Sequence, residues 1–120
     1  MPELVIHTSV SRNKITPTVL TSLSKTLAGT ICKPEQYCTV RVVPDQLMVF
    51  GGKADACAQA TLMSIGHLGV EENKAHAAVI FEAVEKLLGV PQDRMYLTFV
   101  DKASSDVGYK GTTFHTIMGK

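Results

Sequence analysis

The sequence predicts an α/β fold built from two copies of one strand–helix–strand unit, forming a single domain over residues 1–120. Three observations carry this. Two segments have the apolar period of amphipathic helices, short β-branched and apolar runs flank each of them, and the second half repeats the first at an offset of 57 residues. That offset takes Pro34 to Pro91, Val40 to Leu97, Val42 to Phe99, and Leu23 and Leu27 to Ile80 and Val84. It also lays Leu4–Thr8 onto Thr61–Ile65.

Taken in order, the run from Leu4 to Thr8 alternates as a strand should. Thr16 through Ile31 follows as a helix, with Val19, Leu20, Leu23 and Leu27 on one face, Thr16 as cap and Pro17 in the first turn. Thr39–Val43 is β-branched and apolar, and Leu47–Phe50 reads as a further short strand before the Gly51-Gly52 turn. Thr61–Ile65 alternates. A second helix is expected over Glu71–Leu88, with Ala77, Ile80, Phe81, Val84, Leu87 and Leu88 on its apolar side. Glu71 and Glu72 suit its N-terminus, and Gly89 followed by Pro91 ends it. Met95–Val100 is a strand, Asp106-Val107-Gly108 a break, and Thr112–Ile117 a last short strand.

A single-helix crossover makes the two strands of a unit parallel and right-handed. Two units side by side then give a four-stranded mixed sheet with both helices on one face. Leu4, Ile6, Val40 and Val42 read as apolar residues of the face the helices leave uncovered, which points to self-association.

Composition narrows the function. With 45% hydrophobic and 19% charged residues the chain belongs with folded domains and away from disorder. A formal charge of +1, with no basic stripe, predicts no nucleic-acid partner. No apolar run approaches the roughly 20 residues of a membrane span, so no membrane insertion is expected, and the start lacks the pattern of a signal peptide. Cys32, Cys38 and Cys57 are odd in number and form no disulfide framework. His7, His67, His76 and His115 have no ligand spacing, so no metal and no cofactor are expected.

Pro2 stands directly before a strand. Removal of the initiator Met ahead of so small a residue would leave Pro2 with a free secondary amine fixed to a sheet. An α-amino group titrates at about 7.7–8.0, and lost hydration lowers that value. Such an amine can serve as a base near neutral pH. Taken alone, the residue reads first as an ordinary proline that merely opens a strand.

Longer motifs add to this. Val42-Val43-Pro44-Asp45-Gln46-Leu47-Met48-Val49-Phe50-Gly51-Gly52 resembles the signature of the macrophage migration inhibitory factor family, within the tautomerase superfamily. Pro2, Lys33-Pro34-x-Gln36-Tyr37, Ser64-Ile65-Gly66, Pro91-x-Asp93-Arg94-x-Tyr96, Val107-Gly108 and Thr113-Phe114 agree in order and spacing, so that the resemblance spans about residues 2–114. It implies a homotrimer in which three sheets form a barrel with the helices outside. The implied activity is keto–enol tautomerisation of small carbonyl compounds such as phenylpyruvate and dopachrome esters, in a pocket between subunits.

By matching position, Pro2 would be the catalytic base, Lys33 would bind the substrate acid or carbonyl oxygen, and Ile65 would offer a backbone contact. Tyr96 would come from the neighbouring subunit, Thr98 would take the place of a substrate-contacting amide, and Val107, Tyr109 and Phe114 would be apolar walls. The chemistry is coherent: abstraction of a proton α to a carbonyl needs a base near its working pH and a cation for the enolate oxygen. Without the resemblance, Lys33 reads first as a solvated lysine at a helix C-terminus, and the resemblance reverses that preference.

The departures also matter. Cys57-Ala58-Gln59-Ala60 lacks the second cysteine of the C-x-x-C in the family's vertebrate form, so dithiol exchange at that place is excluded and Cys57 reads as an inert thiol. Thr98 replaces the amide, which removes a contact to hydroxylated rings. Tyr109 replaces a tryptophan and keeps an aromatic wall. Glu3 replaces a methionine beside the base, and strand alternation turns it the other way. The family's animal members are cytokines that leave cells without a signal peptide. A cell-surface receptor is therefore a second expected partner, and residence in the cytoplasm or unconventional secretion both fit. Residues 115–120 run past the end of the vertebrate form.

Overall fold

The computed structural model describes Met1 through Lys120. Its central sheet contains β1 (Pro2–Thr8), β2 (Thr39–Val43), β3 (Ala58–Ser64) and β4 (Met95–Asp101) in the order β2-β1-β3-β4. Within each unit the strands are parallel, β1 with β2 and β3 with β4, and the units meet antiparallel where β1 pairs with β3. This is the mixed sheet the repeat predicts.

Helix α1 (Pro17–Ile31) starts where Thr16 accepts a hydrogen bond from the Val19 amide, with Pro17 in its first turn. Helix α2 (Val70–Leu88) starts after Gly69 and carries Glu71 and Glu72 in its first turn. The repeat is clearest here. Val19, Leu23, Leu27 and Ile31 are the buried residues of α1, and His76, Ile80, Val84 and Leu88, each 57 positions on, are those of α2. Both helices end in a left-handed residue, Cys32 (φ 57°) and Gly89 (φ 75°), again 57 apart. Side chains from both helices and from one face of the sheet form a single core.

Sheet alternation corrects two expectations. Leu4 pairs with Val40 and Ala60 with Leu97, so the first strands of the two units correspond at an offset of 56, not 57. A one-residue slip inverts every side chain of a strand. β3 accordingly runs over Ala58–Ser64, ahead of the expected Thr61–Ile65, with Ala58, Ala60, Leu62 and Ser64 buried. Leu4 and Ile6 are likewise buried, with Val40 and Val42 packed against the same core. These four lie under the helices. The open face carries Val5, His7, Arg41, Gln59, Thr61 and Thr98, a mixed surface and not an apolar one.

Two further segments differ from expectation. Leu47–Phe50 forms no strand; only Phe50 bridges, to Lys53, and Leu47 is wholly exposed. Asp45 turns the chain in the left-handed region just before it, and Gly51 and Gly52 do so just after. Thr112–Thr113 forms β6 with β5 (Gly108–Tyr109), but the chain then enters a helix, α3 (Phe114–Met118). Thr113 ends the strand because its side chain caps the Thr116 amide. No helix is long and apolar enough to cross a membrane.

Arg94 ties the loop after Gly52 to the start of β4. Its guanidinium donates to the carbonyls of Phe50, Lys53, Asp55 and Ala56 at 2.8–3.2 Å and lies 5.7 Å from the Phe50 ring centre. Arg94 is 57 positions after Tyr37, and both close a short 3-10 turn behind a proline.

Candidate active site

β1 occupies an inner position in the sheet, so the beginning of the chain is held between two neighbours. Pro2 is buried and lies opposite Ser64, the last residue of β3. Glu3 points to the open face, as alternation required. The left-handed Cys32 at the end of α1 turns the backbone so that Lys33 comes back over this end of the sheet. Its ammonium donates to the Ile65 carbonyl at 2.6 Å and to Ser64 Oγ at 3.1 Å. Lys33 is thereby pinned beside the residue that faces Pro2. Ser64 is fixed in turn, because its carbonyl accepts from the Lys102 amide.

The electrostatics follow from this packing. In this structure the α-amino nitrogen belongs to Met1, and it stands in for the chain-start amine. Burial depresses its pKa below the ordinary 8.0, and the charge of Lys33 lowers it further. Lys33 is itself held below 10.5, chiefly by burial, against the opposing pull of the neighbouring amine and of Asp101. The site thus favours a neutral amine beside a charged lysine. Cys38 lies close by, its thiol pushed up by burial.

A cavity of about 220 Å³ opens here, lined by Met1, Lys33, Tyr37, Ile65, Phe114, Ile117 and Met118. Of the residues singled out in the sequence, Lys33, Ile65 and Phe114 line it; Pro2 is buried behind Met1, which occupies the wall at the start of the chain. Tyr109 joins through Phe114, on which it stacks at 5.3 Å, and Val107 accepts the Phe114 amide hydrogen bond. Tyr96 and Thr98 are elsewhere: they face a separate hollow on the open side of the sheet, with His7, Gln59 and Thr61. One chain alone does not bring them to Pro2. Another hollow, beside Arg12, Leu20 and Val42 at the edge of β2, holds no acid–base pair.

Sequence reasoning missed three contributors. Tyr37 packs edge-on against Tyr109 and Phe114 and lines the cavity. Its presence in the Lys33-Pro34-x-Gln36-Tyr37 turn was the available signal. Ile117 and Met118 reach the cavity only because the chain after Thr113 is helical, and a strand reading hides them. Cys57 is fully buried against Ser9, which supports its reading as an inert thiol.

The fold of two antiparallel strand–helix–strand units around this cavity has relatives of known family. A family profile described as macrophage migration inhibitory factor matches residues 1–115. The chain belongs to the macrophage migration inhibitory factor family. It is 38% identical over 114 residues to the macrophage migration inhibitory factor of Xenopus laevis, covering 95% of this chain and 99% of that one. It is 40% identical to a homolog from Trichuris trichiura, covering 95% and 100%. The structure of the family member from Trichinella spiralis superposes with a TM-score of 0.90 at 35% identity, over 93% of this chain and 99% of that one. The Toxoplasma gondii structure gives 0.84 at 32%, over 93% and 99%. As a family member, the protein shares the mixed four-stranded sheet and paired helices of those structures.

Proposed function

We propose that the protein is a keto–enol tautomerase of small carbonyl compounds of the phenylpyruvate or dopachrome type, with Pro2 as base once Met1 is removed. The observation that carries this reading is the Lys33 ammonium held by Ser64 and Ile65 beside the chain-start amine, whose pKa is lowered first by burial and then by the lysine's charge. Removal of Met1 places the amine on Pro2, one residue deeper in the same burial. The neutral Pro2 nitrogen takes a proton from the carbon α to the carbonyl. The C–H electron pair moves to form the C=C bond as the carbonyl π pair goes to oxygen. Lys33, with two of its protons held by Ile65 and Ser64, directs the third at that developing oxyanion. The proton on Pro2 then passes to the oxygen, which gives the enol and restores the base.

The reading includes a homotrimer, in which Tyr96 and Thr98 of one subunit complete the pocket of the next. The exposed Leu47 and Val49, with no partner strand in their own chain, support an intersubunit contact. A second reading, a receptor-binding factor in which turnover is secondary, rests on the names of the curated relatives.

The test begins with intact mass, to show that Met1 is absent. Pro2→Gly should then keep fold and assembly by circular dichroism and light scattering, and lose on the order of 10²-fold or more in kcat/KM. One residue added ahead of Pro2 should do at least as much, because the nitrogen becomes an amide. Full activity in an extended, correctly assembled protein would place the base elsewhere. A receptor-binding factor with secondary turnover would keep its binding in both variants.

A further inference from the structure

Helix α3 has no part in the proton transfer, yet it forms one side of the cavity. Its first residue, Phe114, is buried and stacked on Tyr109, with Tyr37 edge-on to both. Ile117 and Met118 stand three and four positions later, so they share a helix face with that anchor. Both reach the cavity while remaining 46% and 49% exposed, which places them at its mouth and not in the core. The helix is held at both ends: Thr113 caps it, and beyond the left-handed Gly119 the Lys120 carbonyl accepts from Ser104 Oγ at 2.7 Å. The mouth is therefore built on an anchored element.

We infer that Ile117 and Met118 set the substrate range of this cavity, admitting compact carboxylates with a single-ring or aliphatic apolar end and excluding wider ones, so that of the two proposed substrate types it selects the single-ring phenylpyruvate type over the bicyclic dopachrome type. This rests on the proposed site in one respect, that Lys33 takes the acid end of the ligand. Lys33 is the one charged side chain on the cavity wall; Ile65, Phe114, Ile117 and Met118 are apolar. At about 220 Å³ the cavity is smaller than the roughly 300–1,000 Å³ of ordinary ligand sites. Loss of Met1 frees space next to the amine, while the side opposite remains closed by α3. Both mouth residues lie past residue 115, where the family match ends, so they separate this chain's selectivity from what the family pattern determines.

The probes are 3-phenylpropanoate and 3-(2-naphthyl)propanoate, neither of which can tautomerise, titrated calorimetrically into the processed protein. Wild type should bind the phenyl compound at least about tenfold more tightly than the naphthyl compound, the scale on which an apolar pocket discriminates size. The double variant I117A/M118A should bring the two affinities together or reverse their order. Met118→Trp, which narrows the mouth, should weaken the phenyl compound by about tenfold. Both positions are half-exposed, and circular dichroism should show each variant folded.

A phenyl-to-naphthyl ratio unchanged within twofold in I117A/M118A, or no binding of either probe by wild type, overturns the inference. Pro2→Gly protein serves as the separating control. If it and wild type bind alike and the ratio shifts with the mouth, while wild type shows no turnover, the base assignment fails and the mouth assignment stands.

Discussion

Replacement of Lys33 by methionine tests the heart of the site, because it removes the charge and keeps most of the apolar stem. In the structure two of the ammonium protons are committed to Ile65 O and Ser64 Oγ, which leaves one for a substrate oxygen. A charged hydrogen bond of that kind contributes about 1.5–3 kcal/mol. Each 1.36 kcal/mol is a factor of ten, so kcat/KM for an acidic keto substrate should fall roughly 10- to 150-fold. The pH profile should change as well. The chain-start amine is depressed mainly by burial and secondarily by Lys33, so Lys33→Met removes only the smaller cause. The base works when neutral. A higher amine pKa leaves less of it neutral on the acid side, so activity should drop more at acid than at neutral pH. The acid limb should move up and stop short of 8.0. Wild type should also lose activity on the alkaline side as Lys33 deprotonates below 10.5, and the variant should lack that limb. The assay is spectrophotometric ketonisation of phenylpyruvate across the pH range, with urea unfolding to confirm the fold. A variant with kcat/KM within twofold of wild type and an unmoved acid limb would refute the assignment of Lys33.

Two structural substitutions extend this. Arg94→Ala frees four backbone carbonyls of the 50–56 loop, and should cost about 2–3 kcal/mol in urea unfolding while speeding amide exchange there. Arg94→Lys should recover only part of this, since an ammonium cannot reproduce the fork. Cys32→Gly should stabilise by about 0.5–1 kcal/mol, seen as a raised Tm, because it relieves a left-handed non-glycine residue at the end of α1. An unchanged or lowered Tm would mean that this residue carries no strain.

Much of this was legible, and the gaps have physical causes. The helices could be read because leucine and valine at helical spacing leave little ambiguity, and Thr16-Pro17 and Gly89 mark the ends of two of them. β3 was misplaced because Ala58 and Ala60 are buried but too small to signal alternation. The error shifted the repeat by one residue, and one residue is enough to turn a strand over. Leu4 and Ile6 were given to the open face for a related reason: apolar alternation says that a strand has a buried side, not which layer covers it. Leu47–Phe50 has strand composition but no partner within its own chain. In the site, Lys33 and Pro2 are adjacent because β1 and β3 pair in a fixed register, and such long-range pairing is not visible in local patterns. Only the family resemblance named them together.

The repeat itself argues for where the site should be. Positions that serve the core match across the two units: Leu23 with Ile80, Leu27 with Val84, Ile31 with Leu88. The positions around the cavity do not. Lys33 corresponds to Val90, Tyr37 to Arg94, and Pro2, through the strand offset of 56, to Ala58. Val90 is 1% exposed and belongs to the core, and Ala58 has no free amine because the chain runs through it. Packing needs therefore explain the second copy completely, whereas in the first copy a lysine occupies a place that a valine fills equally well. A lysine at a place that valine fills in the other copy is better explained by chemistry than by stability. The reciprocal exchange makes this measurable. Lys33→Val should cost little in urea unfolding, about 1–2 kcal/mol for the unpaired Ile65 carbonyl and Ser64 hydroxyl, while turnover collapses. Val90→Lys should cost about 3–5 kcal/mol, the scale of an unpaired charge left in a core, or neutralise its lysine to avoid it. If Val90→Lys unfolds at the wild-type urea midpoint, or Lys33→Val proves the more damaging of the two, the two units do not divide between core and chemistry as this asymmetry requires.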